Sequence, residues 1–193
     1  MSKILKELRE HAPFTFLATV IAVILVIVIR MIISIDIDLE SFQAFHIMHI
    51  FISAITSAAI FHKYKKNIFL SILIGVTASI IIGTISDVLI PFLGGNLLFF
   101  QTLLYIPIFK EPVMIILPAL AGSLIGLIFT KTKISHFGHV FLSVFASLFY
   151  LLSFSQEITM LQMIFATLIT FIAVLIPCCA GDIIYPLLFV KKK

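Results

Sequence analysis

The chain has 193 residues, of which 62% are hydrophobic and 11% charged; its net charge is +4 and its mean hydropathy +1.26. No soluble domain of this length can cover so much apolar surface, so the composition excludes a soluble fold and indicates an integral membrane protein. The basic residues lie in short loops and tails, where they set orientation in a bilayer rather than form a nucleic-acid surface.

Residues 1–12 read as a short amphipathic helix on the cytoplasmic surface, with Ile4, Leu5 and Leu8 on one side and His11 solvated. The apolar run over residues 13–35 is too long for the core of a secretory signal and lacks a small-residue cleavage site, so a retained first span is expected. It carries Arg30, which either snorkels to the headgroups or forms an ion pair with Asp87. An acidic loop with Asp36, Asp38 and Glu40 follows. Span two covers residues 45–61 and is closed by His62-Lys63-Tyr64-Lys65-Lys66, with His62 at the interface. Span three begins near residue 68 and passes Asp87 before ending at Gly94-Gly95. Residues 96–110 are too short a run for a full crossing and read as a re-entrant or interfacial segment. Spans four, five and six cover about residues 112–129, 134–154 and 158–190.

With six spans, the basic groups at the N-terminus, after span two, after span four and at the C-terminus all fall on one side. The positive-inside rule then makes both termini cytoplasmic in a multi-pass protein of the cell (inner) membrane.

One pattern occurs twice. His46, His49, Phe51, Ser53 and Ser57 form HxxHxFxSxxxS, and His136, His139, Phe141, Ser143 and Ser147 repeat it. Each copy precedes an aspartate followed by three further residues and a proline: Asp87 with Pro91, and Asp182 with Pro186. An internal duplication is the simplest account. Repeat one covers about residues 13–95 and repeat two about 112–190, in a single membrane domain of all-α architecture. Each repeat holds three spans, and an odd number reverses orientation, so the halves form an inverted pair. On this topology each half brings two histidines and one aspartate toward its own face of the membrane.

Histidines at i and i+3 share a helix face, and the serines continue that stripe toward the bundle interior or a wet cavity. Two imidazoles and a carboxylate form a three-ligand set for a borderline divalent ion such as Zn, Fe, Mn, Co or Ni. This assigns His46, His49, Asp87, His136, His139 and Asp182 as metal ligands, with Ser53, Ser57, Ser143 and Ser147 lining the pathway. A proton relay or polar-solute pocket, or interhelical hydrogen bonding alone, uses the same groups. The prolines after Asp87 and Asp182 imply helices broken near the carboxylates. Cys178 and Cys179 are adjacent and form no disulfide framework; they read as small hydrophobes, or as ligands for a soft ion.

Function on this reading is a small transporter or permease for a divalent metal ion, with a small polar solute as the second substrate class. A membrane-embedded His/Asp metalloenzyme is the alternative, as is a substrate-binding subunit of a larger transporter. Little interior volume is expected in six spans, which points to a homodimer within the lipid bilayer.

Overall fold

The computed structural model of the chain describes residues 3–97, 100–129, 131–154 and 159–190; among them all regular structure is helical. Five helices are long and apolar enough to cross a membrane: Ile4–Ile32, Leu39–Tyr64, Ile68–Leu97, Thr132–Leu152 and Met160–Leu188. The fold is an all-α protein of membrane type.

Helix α1 (Lys3–Ile27) runs on through a π-helical turn, Val28–Ile32. The separate surface helix expected over residues 1–12 is therefore the first part of this long helix. Its polar residues have partners on neighbouring helices: Lys63 and Tyr64 both donate to Glu7 Oε1, at 2.5 and 2.6 Å, and Lys133 pairs with Glu10 at 3.2 Å. Arg30, near its far end, bonds Asp36 Oδ1 at 2.8 Å, in the acidic segment that follows its own helix.

Helix α2 (Leu39–Tyr64) starts six residues before the expected span because Asp38 caps it, accepting from the Ser41 backbone N–H at 2.8 Å. The acidic loop is thus a helix start, and roughly 10 Å of helix precedes His46. Asn67 caps α3 (Ile68–Thr84) in the same way, accepting from Leu70 N–H at 2.9 Å. The chain then passes through a π-helical turn, Ile85–Leu89, and continues as α4 (Ile90–Leu97). In the region read as re-entrant or interfacial, the described residues beyond α4 include a short helix, α5 (Pro107–Lys110).

Expected span four is α6 (Pro112–Gly126), 15 residues and roughly 22 Å long, short of a hydrocarbon core of about 30 Å. It runs alongside α2 in the same direction. Gln43 near the start of α2 bonds Glu111 at 2.9 Å, while Gly122 sits against Phe51 and Gly126 against Ile55. A Cβ on Gly122 would come within 2.2 Å of the Phe51 carbonyl oxygen, and one on Gly126 within 2.6 Å of that of Ile55. Small residues four apart let two backbones meet where larger side chains would hold them off.

Helix α7 (Thr132–Leu152) lies antiparallel to α2. Phe42 meets Tyr150, Phe45 meets Phe145 and Phe149, and His49 meets His139. These two helices are the most buried of the long five and form the centre of the bundle, with α1 packed on α7 and α6 on α2. The last long helix is α8 (Met160–Ala173), a π-helical turn Val174–Ala180, and α9 (Gly181–Leu188).

Neither helix breaks at the prolines that follow the carboxylates: a π-helical turn comes just before Pro91, whereas Pro186 lies inside α9 and the π-helical turn before Asp182 contains Pro177. Asp87 lies within one such turn, and Asp182 follows another by two residues. A wider turn re-routes hydrogen bonds locally without ending the helix, and such turns often occur at functional sites.

Polarity runs inside out. Phe16, Leu17, Ile24, Leu117, Ile164 and Leu168 point outward, while the histidines of both pairs, both aspartates and the four repeated serines are buried. That arrangement suits a solvent of lipid around a polar interior.

Candidate metal centre

Asp87 is the most heavily bonded carboxylate in the interior. His46 Nδ1 and His49 Nδ1 both donate to its Oδ2, at 2.8 and 2.6 Å. Ser86 and Ser143 hydroxyls donate to Oδ1, each at 2.8 Å. The carboxylate thus collects two imidazole donors from α2, one serine from its own helix and one from α7. Ser147 completes this side by donating to the Ser86 carbonyl at 3.1 Å.

This bonding fixes His49. With Nδ1–H held by Asp87, Nε2 presents a lone pair on the other side of the ring, where Cys178 Sγ lies 3.5 Å away. A carboxylate behind a histidine sets its tautomer and makes it a better ligand. The stacked ring of His139 is 5.8 Å from that of His49, and His139 Nε2 lies 3.2 Å from Asp182 Oδ2. Asp182 takes its own hydrogen bonds from α2: Ser53 Oγ donates to Oδ2 at 2.6 Å and Ser57 Oγ to Oδ1 at 3.2 Å.

Each of His49, His139, Cys178 and Asp182 therefore offers one ligand atom into a common space, all within 4.8 Å of one another and all buried. Two imidazole nitrogens, one sulfur and one carboxylate oxygen fit a tetrahedral borderline ion; they do not fit Ca or Mg, which take oxygen shells. His46, His49 and Asp87 form a second converging group, sharing His49 with the first. These buried His/Cys/Asp groups can hold a metal ion.

The structure changes the expected site in three ways. The two histidine pairs are not kept apart: His49 and His139, one from each, stack with ring centroids 5.8 Å apart between the antiparallel helices. Cys178, read as a small hydrophobe or a soft-ion ligand, lies with this group, one helical turn before Asp182 on the same face. Cys179 points elsewhere, to Thr15 Oγ1 at 3.0 Å and His136 Nε2 at 3.3 Å.

His136 also leaves the set expected for it, with its Nε2 3.0 Å from Thr15 Oγ1. Its neighbour there is His11, with ring centroids 4.8 Å apart. His11 is fully buried, against the solvated position expected; its Nδ1 donates to the Glu7 carbonyl at 2.8 Å. The missed signal was the i, i+4 series Glu7, His11, Thr15 on one face of α1, obscured by the charged residues between them. His62 stays at the periphery as expected, half-buried, with its Nδ1 3.0 Å from Ser71 Oγ.

The fold and site define a class: a helical protein of membrane type whose interior carries a buried His/Cys/Asp cluster able to hold a metal ion. No protein-family model, curated protein or solved structure matches the chain.

Proposed function

We propose that the chain is a small transporter that carries a borderline divalent metal ion (Zn, Fe, Mn, Co or Ni) through a site shared between two inverted repeats. The observation that carries this reading is the convergence of His49, His139, Cys178 and Asp182, drawn from both halves, where α2 and α7 cross. Reciprocal bonding supports the repeat: Ser53 and Ser57 of the first half reach Asp182, and Ser143 and Ser147 of the second reach Asp87 and Ser86. A site at the repeat interface, beside irregular helical turns, suits alternating access by rocking one half against the other.

Six crossings follow if α6 counts as a short fourth span. Its course beside α2, from Gln43 toward Lys63, supports that count. The face bearing Lys63, Lys66, Lys131 and Lys133 is then cytoplasmic, with both termini, and the cell (inner) membrane is the expected location. A homodimer remains the proposed assembly.

A membrane-embedded metalloenzyme is the second reading, favoured by the same convergence on one centre. Against it, the protein supplies four donors, whereas a catalytic site keeps a position open for water or substrate.

The test is metal content followed by flux. Protein purified in mild detergent should hold one ion per chain by mass spectrometry. His49→Ala should lose it, and liposomes bearing the wild type should take up that ion down its gradient. Absence of bound metal after loading with each of the five ions would overturn the metal reading. A bound ion with no flux of any of the five would overturn transport and leave the enzyme.

A further inference from the structure

The central cluster is not the only place where buried polar atoms lack partners. Among the described residues, six buried side-chain atoms make no hydrogen bond within the protein: Glu7 Oε2, His11 Nε2, His136 Nδ1, both ring nitrogens of His139, and Thr170 Oγ1. Buried polar atoms ordinarily find partners, so several orphans in one file ask for a reason. Apart from Thr170, these residues form a file. Glu7 Oε2 is 3.6 Å from His11 Nδ1, the His11 and His136 rings are 4.8 Å apart, and those of His136 and His139 are 4.5 Å apart. Thr15 and Cys179 flank it, both hydrogen-bonded to His136.

The file starts at the basic face. Lys63, whose side chain is 45% exposed, and Tyr64 both bond Glu7 Oε1 there, while Oε2 faces inward without a hydrogen bond. It ends at His139, a member of the central cluster. The donors along it are strung out, while those at the centre converge: spacing for passage in one case, for holding in the other.

The opposite side of the cluster is closed differently. Phe42 stacks on His46 with centroids 5.4 Å apart and is backed edge-on by Tyr150 at 5.1 Å. Beyond them Gln43, Tyr105 and Glu111 bond one another. Aromatic rings seal that end, and oxygen, nitrogen and sulfur donors line the other.

We propose that Glu7, His11, Thr15, His136 and Cys179 line the passage by which the metal ion moves between the central cluster and the basic face, with the Glu7–Lys63–Tyr64 contact as its closure. The ion's identity rests on the transport reading above; the existence of a polar passage does not, and the two can fail separately.

Cys179 is the reporter. In a Cys178→Ser background it is the sole cysteine, and its sulfur lies on the file. A permanently charged methanethiosulfonate reagent, added to one side of oriented liposomes, should label it from the basic face and not from the other. Lys63→Ala, a change at an exposed side chain, should speed labelling roughly tenfold, the factor expected when a charge-assisted bond holding a closure is lost. Glu7→Gln serves as a second variant with the same expected direction. Cys179 also borders an apolar groove of about 260 Å³ between α1 and the last long helix, lined by Phe16, Phe171 and Leu175. Labelling by neutral N-ethylmaleimide alone, unchanged in both variants, would mean access through that groove from lipid and would overturn the passage. So would labelling by the charged reagent from the aromatic-sealed side.

Flux separates the two readings. His11→Ala should keep the ion bound at the cluster while uptake falls well below that of the wild type. Wild-type protein that binds and carries no ion sinks the transport reading, while the labelling experiment still decides the passage. Unchanged uptake in His11→Ala, with the wild type active, sinks the passage alone.

Discussion

Replacing Gly122 by alanine tests whether the α2–α6 contact positions the site. The new Cβ would lie 2.2 Å from the Phe51 carbonyl oxygen and 3.1 Å from Ala54 Cβ. A carbon–oxygen contact normally settles near 3.3 Å, so the two backbones must part by about 1 Å. The obstacle is backbone within a buried helix, so no side-chain rotation relieves it. A gap of about 1 Å forfeits up to roughly half the dispersion attraction along the seam, and overpacking of this kind costs about 3 kcal/mol at the upper end of its usual range. Alanine returns up to about 1 kcal/mol in helix propensity, leaving a net loss of about 2 kcal/mol. Gly138→Ala is the control: there the nearest atoms, Ile52 Cδ1 and Cγ2, stand at an ordinary 3.6 Å, and stability should hold or rise. Unfolding midpoints in a denaturing detergent titration measure both. Equal midpoints for the two variants, or a Gly122→Ala protein as stable as the wild type, would refute the close-packed seam.

Cys178→Ser should retain the fold but bind Co(II) more weakly, and the thiolate-to-cobalt absorption band should vanish; a band of full strength would remove Cys178 from the ligands. Added Zn at a hundred times its dissociation constant should stabilise the protein by about 2.7 kcal/mol, reversed by a chelator, whereas His49→Ala should show no such shift in melting. Ser41 holds the Asp38 carboxyl below its ordinary value through side-chain and backbone hydrogen bonds. A depressed value means stability that is present above the unfolded value of 3.8 and lost as pH falls below it. Asp38→Asn, still a good helix cap, should match the wild type near neutrality and show a shallower loss in acid; identical acid profiles would show that the cap contributes no pH dependence.

Much of the architecture was legible because long apolar runs leave little choice. The His/Ser stripes were legible because residues three, four and seven apart share a helix face. Partner choice was harder. Ser53 and Ser57 follow His46 and His49 along one stripe, yet they bond Asp182 while the histidines bond Asp87, since α2 faces a different helix at each level. How far along α2 the histidines lie depended on where that helix begins, and Asp38 read as a loop residue hid that start. Proline after each aspartate gave no means of telling what the helix does there: a π-helical turn precedes Pro91, while Pro186 sits within an α-helix. Gly83 stands four residues before Asp87 as Cys178 stands before Asp182, and there is no room for a side chain there: a Cβ would come within 2.5 Å of Ile50 Cδ1.

The crossed serines have a further consequence. His46, His49 and Ser86 hold Asp87 from within the first half, but Ser143 comes from the second; Asp182 depends on Ser53 and Ser57 from the first. Neither part of the chain, residues 3–97 or 107–190, contains by itself all the donors that bond its own aspartate. Each would insert with a carboxylate short of bonds in a medium that supplies none. The two fragments should accumulate only when produced together, as parts that complete each other.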